Sequence, residues 1–330
     1  MHSPTLLAGD IGGTKTLLSL YDADLHLLAS ERYSSCEWPD LAPMVQAFVQ
    51  GPAATAPQPQ AACFAVAGPV QGGKARLTNL PWQLDEAQLS DDTGIAQLEL
   101  VNDFAVLIYG LPHLEADQQA VLRPGQPQPD MPLLVLGAGT GLGVAYGIPT
   151  ATGLQAVASE GAHGEFAPRS ASEWELKQWL QGDLGLERLS IERVVSGTGL
   201  GLVARWLLAT TPEGIDHELA GVAVQDLPAA VATAAAAGDA LASAALELWL
   251  SAYGSVCGDL ALAALSRGGI WLAGGTAAKL LQPLRQGGFV TAFLNKGRLA
   301  AVLEPIPITA ITDAAIGSYS AACRARMLLG

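Results

Sequence analysis

The sequence predicts a two-domain α/β protein, and three observations predict it. Leu6 to Leu20 (LLAGDIGGTKTLLSL) and Leu133 to Gly147 (LLVLGAGTGLGVAYG) each run from an apolar stretch through a glycine-rich turn into a second apolar stretch. That pattern is a strand, a backbone-lined turn and a returning strand. Apolar runs of strand length then alternate with helical segments, which favours sheets covered by helices. Finally, 330 residues suffice for two medium cores. Two turns of one design suggest two related halves that each lend a loop to one ligand.

Composition narrows the function. Half the residues are apolar and 15% are charged, so the chain is well packed and ordered. The balance of 17 basic against 31 acidic residues gives −14, which opposes nucleic acid and anionic membrane as partners. Cys36, Cys63, Cys257 and Cys323 are scattered with no C-x-x-C pair. Neither a zinc cluster nor a disulfide framework is expected, and a reducing cytoplasm fits. The first apolar run is short and lacks a basic leader, unlike a signal peptide. The uncharged stretches Gly51 to Gly73 and Met131 to Ser159 carry too much proline and glycine for a spanning helix.

In chain order, Thr5 to Gly9 reads as a strand that delivers Asp10 and the turn Gly12-Gly13-Thr14-Lys15 to the strand Leu17 to Tyr21. Gly9 and Lys15-Thr16 imitate a Walker A loop, but Thr14 stands where glycine is needed and a strand follows in place of a helix. The turn is therefore read as a phosphate-binding hairpin in which Asp10 reaches a metal ion through water. A turn-capping carboxylate is the competing role. A third strand, Leu27 to Tyr33, precedes a helix near Pro39 to Gln50 and an exposed loop, Gly51 to Gln60. Ala61 to Ala67 is a buried strand, and Thr78-Asn79-Leu80-Pro81-Trp82 signals a turn.

Leu98 to Val101 is a strand with Asn102 and Asp103 at its end. Ligands of open α/β sheets bind at strand ends, and Asn or Asp before Phe104 is also a good helix cap. One residue capping while the other faces substrate satisfies both readings. Five prolines between Gly110 and Pro132 suggest a domain crossover.

Beyond the second turn, Glu160 and His163 stand in a glycine-rich loop and are suited to hydrogen-bonding neighbouring hydroxyls. Ser172 to Glu175 reads as a capping box that starts a helix to about Leu180. Gly197 to Gly201 repeats the GTGLG of Gly139 to Gly143. Charged Glu192 and Arg193 precede it and helical LVARWLLA follows, so it is a helix junction. Leu227 to Ser266 reads as two packed helices broken near Gly238 or near Gly254 to Gly258. Gly269 to Ala273 is a strand, Gly274-Gly275 a turn with room for a flat ring, and Thr276 a cap. Ala310 to Asp313 opens a small-residue helix, Ala314 to Leu328, that returns to the first domain.

Taken together, DIGGTK, LVNDF, GAGTGLG, EGAHGEFAP, ERVVSGTGL and WLAGGTAAK resemble, in order and spacing, the bacterial glucokinases of the hexokinase and actin-like ATPase superfamily. The resemblance spans essentially the whole chain. It implies a two-domain actin-like ATPase (ribonuclease H-like) fold with an interdomain cleft. The small domain would be 1–110 with 313–330, and the large domain 111–312. It also implies D-glucose, ATP and Mg²⁺ as ligands, a homodimer, and no nucleic acid or membrane partner. Asp103 would be the general base. Asn102, Asn79, Glu160, His163 and Glu192 would bind the sugar. Asp10, Gly12, Gly13, Thr14 and Lys15, with Gly137, Gly139, Thr140 and Gly141, would hold phosphates, and Gly274 and Gly275 would lie at the adenosine. The chain departs from the family at Ala138, Ala162 and Glu165, where proline, glycine and aspartate are usual. Ala162 bears on function, because alanine resists positive φ and a side chain there would tilt Glu160 or His163. Transfer of the ATP phosphoryl group to the 6-hydroxyl of glucose is the expected reaction. A kinase for mannose or glucosamine and a non-catalytic sugar sensor are the competing readings.

Overall fold

A computed structural model describes residues 4–77 and 80–330; Asn79 lies outside the described residues. Contacts group the chain into two units, Met1–Glu115 with Thr150–Ala158 and Asp313–Gly330, and Ala116–Pro149 with Ser159–Thr312.

The first unit is built on β1 (Thr5–Ile11), β2 (Lys15–Asp22), β3 (Leu27–Ser34), β4 (Ala61–Val66), a small sheet of β5 (Val70–Gln71), β6 (Lys74–Arg76) and β7 (Gln83–Asp85), and β8 (Gln97–Asn102). The main sheet has the order β3-β2-β1-β4-β8. β1 and β2 form the expected antiparallel hairpin, with Ile11 opposite Thr16. β1, β4 and β8 run parallel. Both faces of β1 are buried, as its near-continuous apolar run requires. Leu7 and Ile11 join Met44 and Phe48 of the helix Leu41–Gln50 in one core. The helix Ile316–Met327 packs on β1 and β4 and buries Ala321, Ala322 and Ala325. Each fully buried Leu or Phe in these layers contributes about 1.5–3 kcal/mol.

The second unit repeats the plan with β9 (Gln119–Arg123), β10 (Leu133–Ala138) and β11 (Leu142–Thr150). Then follow β12 (Gly153–Ser159), most of which groups with the first unit, β13 (Gly269–Leu272) and β14 (Ile308–Ile311). Within it the strands β11-β10-β13-β14-β9 are neighbours. β10 and β11 form the second expected hairpin, and β10, β13 and β14 run parallel. An antiparallel hairpin feeding two parallel strands thus occurs in each unit.

Several sequence expectations shift. The helix Ala171–Leu184 is capped by Ser170, whose hydroxyl accepts from the Glu173 N–H, so the capping box begins two residues before Ser172. Gly274, at φ +86°, caps the helix Gly275–Lys279 in place of Thr276. The proline-rich crossover holds a strand, β9, paired with β14. The carboxyl-terminal helix starts at Ile316, because Ile308–Ile311 is spent as a strand.

The long alanine-rich segment breaks at Gly238 (φ +89°). Gly254 and Gly258 lie inside the helix Ala240–Ala264, where their lack of a side chain admits the backbone of Gly288–Leu294. That 25-residue helix is long and apolar enough to cross a bilayer, yet 67% of its most apolar window is buried within the protein.

Candidate active site

Register places the carboxyl ends of three parallel strands at one rim of the first sheet: Ile11 pairs with Val66, and Val66 with Asn102. Asp103 N–H continues the ladder by donating to the Val66 carbonyl at 2.9 Å. Asn102 caps the chain beyond: its Oδ1 accepts from Phe104 and Ala105 N–H at 3.1 and 3.0 Å. Its Nδ2 donates to the Gly68 carbonyl and to Asp103 Oδ1, each at 3.1 Å. Asn102 is therefore the cap and Asp103 the residue that faces outward, and the amide fixes which way the carboxylate points.

Asp10 is the single exposed residue of β1, and its carboxylate has no hydrogen-bond partner among the described residues. Two strand spacings, about 10 Å, separate the ends of β1 and β8. Protein packed around the Asp103 carboxyl withholds solvation from its charged form, and the Asp10 carboxylate adds repulsion. Together they raise Asp103 to about 6. Asp10 is also raised by desolvation, with Arg32 pulling the other way.

The first turn is braced from behind by a residue that sequence reasoning missed. Buried Ser35 donates its hydroxyl to the Gly12 carbonyl at 2.8 Å and its N–H to the Thr14 carbonyl at 3.0 Å, and receives the Thr16 hydroxyl at 3.0 Å. Gly12 N–H closes on the Lys15 carbonyl at 3.0 Å. The N–H groups of Gly13 and Thr14 keep no partner among the described residues, and Lys15 is exposed. Free N–H groups, a cation and a carboxylate at one strand end suit an anion with its counter-ion. Removing the hydroxyl in Ser35→Ala leaves the half-buried Gly12 carbonyl and the buried Thr16 hydroxyl without that partner, which costs about 1–3 kcal/mol. A lowered melting temperature together with a raised KM for ATP is expected; an unchanged KM would confine Ser35 to stability.

In the second unit the register Leu136, Leu272, Ala310 aligns another rim, where the second turn follows β10 and Gly274 follows β13. Gly139 and Gly275 have open space where a Cβ would stand, and one at Gly274 would lie 3.9 Å from the Ala138 carbonyl. Gly137 lies in β10 and pairs with Gly143. Glu192, on the short helix Ile191–Val194, accepts the Leu142 N–H at 3.0 Å. Its carboxylate occupies the space a methyl group at Gly141 would need.

Glu160 precedes and His163 ends a 3₁₀ turn, with His163 Nε2 3.4 Å from Glu160 Oε2, and both are open to solvent. The loop is fastened to the segment that delivers Glu192: Ile191 N–H donates to Gly164 at 2.9 Å, and Phe166 N–H to Leu189 at 2.8 Å. Arg188 donates to the His163 carbonyl. Glu165 takes Lys177 at 2.5 Å and Arg188 at 3.3 Å, cations that hold its carboxyl below the usual range. Ala162 sits in this turn with no positive φ, and its methyl is buried in the core. The alanine is thus absorbed by packing, and the expected strain is absent.

The comparisons with known proteins agree over nearly the whole chain. The family model described as Glucokinase matches residues 7–328. The glucokinase of Synechocystis sp. is 42% identical over 96% of both chains. That of Nostoc punctiforme is 40% identical over 98% of this chain and 99% of its own. Among solved structures, a glucokinase from an Antarctic psychrotroph aligns with TM-score 0.84 at 28% identity, covering 98% of this chain and 99% of that one.

Proposed function

The chain belongs to the glucokinase family, and from that membership and the geometry above we infer that it transfers the γ-phosphoryl group of ATP to the 6-hydroxyl of D-glucose. Its architecture is the two-domain actin-like ATPase fold, with 1–110 and 313–330 as one domain and 111–312 as the other in this reading. Phosphoryl transfer passes through a loose transition state, so positioning and charge stabilisation supply most of the catalysis.

Asp103 accepts the proton of the 6-hydroxyl, and Asn102 acts on the sugar by setting the direction of that carboxylate. Glu160, His163, Glu192 and Asn79 hold the other hydroxyls. The Gly12 to Lys15 and Gly137 to Gly141 turns hold the phosphates, with Gly274 and Gly275 at the adenosine. Asp10 would hold magnesium through water; the ion, when bound, neutralises phosphate charge. The unengaged Asp10 carboxylate and the partnerless turn N–H groups fit these ligands.

One observation carries the reading: the carboxylate of Asp103, at a strand end, is aimed by Asn102 and tuned to about 6. Such a group is mostly ionised at neutral pH yet more basic than an ordinary aspartate. A coupled ADP assay over glucose, mannose and glucosamine tests the substrate, with the highest kcat/KM expected for glucose. Glucose protection in a melt without turnover would favour a sensor. The same reading makes the enzyme a cytoplasmic homodimer, and the four unpaired cysteines support the reducing compartment.

The tuning of Asp103 has its own test. Carboxyl-carbon NMR of the metal-free protein should show a group titrating near pH 6 that is absent in Asp103→Asn. Asp10→Asn removes a negative neighbour, so the charged form of Asp103 becomes easier to reach and its titration moves to lower pH. A titration that does not move would remove Asp10 as a cause.

A further inference from the structure

The pentapeptide GTGLG occurs twice, in the second turn and at the head of the helix Gly197–Thr210. In the structure the two copies meet. Gly197 N–H donates to the Gly139 carbonyl at 2.7 Å, and the Thr198 hydroxyl donates to the Thr140 carbonyl at 3.0 Å.

A trans peptide points its C=O and the following N–H in opposite directions, and the described chain has no cis bonds. Drawing the carbonyls of Gly139 and Thr140 toward the helix therefore turns the N–H groups of Thr140 and Gly141 away from it. These two have no partner among the described residues, whereas Gly139 N–H closes on the Gly141 carbonyl and Leu142 N–H goes to Glu192.

The helix head is itself held. Buried Ser196 caps it by accepting the Gly199 N–H at 2.9 Å, and the ring N–H of buried Trp249 donates to the Ser196 carbonyl at 2.9 Å. A Cβ at Gly197 would lie 2.9 Å from the Gly139 carbonyl, so the approach needs glycine there. The repeat is thus a backing for the turn, anchored in the core.

We propose that Thr198 is a positioning residue for the nucleotide: its hydroxyl, with the Gly197 N–H, aims the Thr140 and Gly141 N–H groups at the phosphates of ATP. The inference rests on the reading of this turn as phosphate-binding. It assigns Thr198 no contact with the reacting atoms.

Thr198→Val keeps the shape and removes the hydroxyl. Thr198 is exposed and water can partly replace the lost bond, so KM for ATP should rise about 3- to 10-fold. KM for glucose and glucose protection in a thermal melt should stay within about twofold, and Thr198→Ser should restore KM for ATP to that same range. Thr198→Ala repeats the test without the methyl groups, in case valine crowds the helix head. Gly197→Ala, which crowds the Gly139 carbonyl, should move KM for ATP in the same direction. The proposal fails if Thr198→Val and Thr198→Ala keep the parent KM for ATP, if glucose affinity falls equally, or if serine does not rescue. A parent enzyme that turns over no ATP with any hexose would instead sink the kinase reading itself.

Discussion

Replacing Asp103 by asparagine is expected to lower kcat by at least about 10²-fold while glucose still protects the protein in a thermal melt. The amide keeps the size and the outward position of the side chain, since the backbone bond from Asp103 N–H to Val66 does not depend on the acid. What is lost is the proposed proton acceptor. General base assistance is typically worth about 10²- to 10⁴-fold, which sets the expected range. The melting temperature carries a second sign. The folded carboxyl titrates above its unfolded value, so its charged form opposes folding above about pH 6. At neutral pH the uncharged variant should therefore melt no lower than the parent. A variant with near-normal turnover would take Asp103 out of the mechanism. One that melts well below the parent would show that the carboxylate stabilises the fold, against the desolvation argument.

The local features of this fold could be read from the sequence, and the long-range ones could not. An apolar run, glycines and a second apolar run define a hairpin by themselves, and both hairpins form where those runs lie. Helical residues after the second GTGLG separate it from the first, and it heads a helix as that reading requires. That reading stops at a helix junction, because nothing in five residues reveals that Gly197 and Thr198 dock on Gly139 and Thr140. Ser35 escaped for a similar reason: Tyr-Ser-Ser-Cys looks like any strand end until the chain folds it under the first turn. β9 was hidden by the prolines around it, since it pairs only with β14, far along the chain. Ala162 misled in the other direction: a residue type that disfavours positive φ matters only where the backbone goes there, and at 162 it does not.

In the proposed site Glu192 links the two kinds of binding, and its removal should be the most informative change in the second unit. One carboxylate oxygen accepts the Leu142 N–H beneath the second turn, and Gly141 leaves the carboxylate its space. In the proposed site the other oxygen is available to a sugar hydroxyl. Glu192→Ala discards both bonds and leaves the Leu142 N–H without its acceptor. A hydrogen bond to a charged group is worth about 1.5–3 kcal/mol, so losing the one to the sugar corresponds to a fall in kcat/KM for glucose of about 10- to 10²-fold. KM for ATP should rise as well, because the turn loses an anchor. Glu192→Gln separates these effects. Its amide oxygen can still accept from Leu142, so KM for ATP should return close to the parent value, while glucose, deprived of a charged acceptor, stays weakly bound. If alanine leaves glucose kinetics within about threefold, Glu192 serves the turn alone and the sugar set must be drawn without it. If glutamine and alanine raise KM for ATP equally, the bond to Leu142 is not what holds the turn, and the charge of Glu192 acts on nucleotide binding by another route.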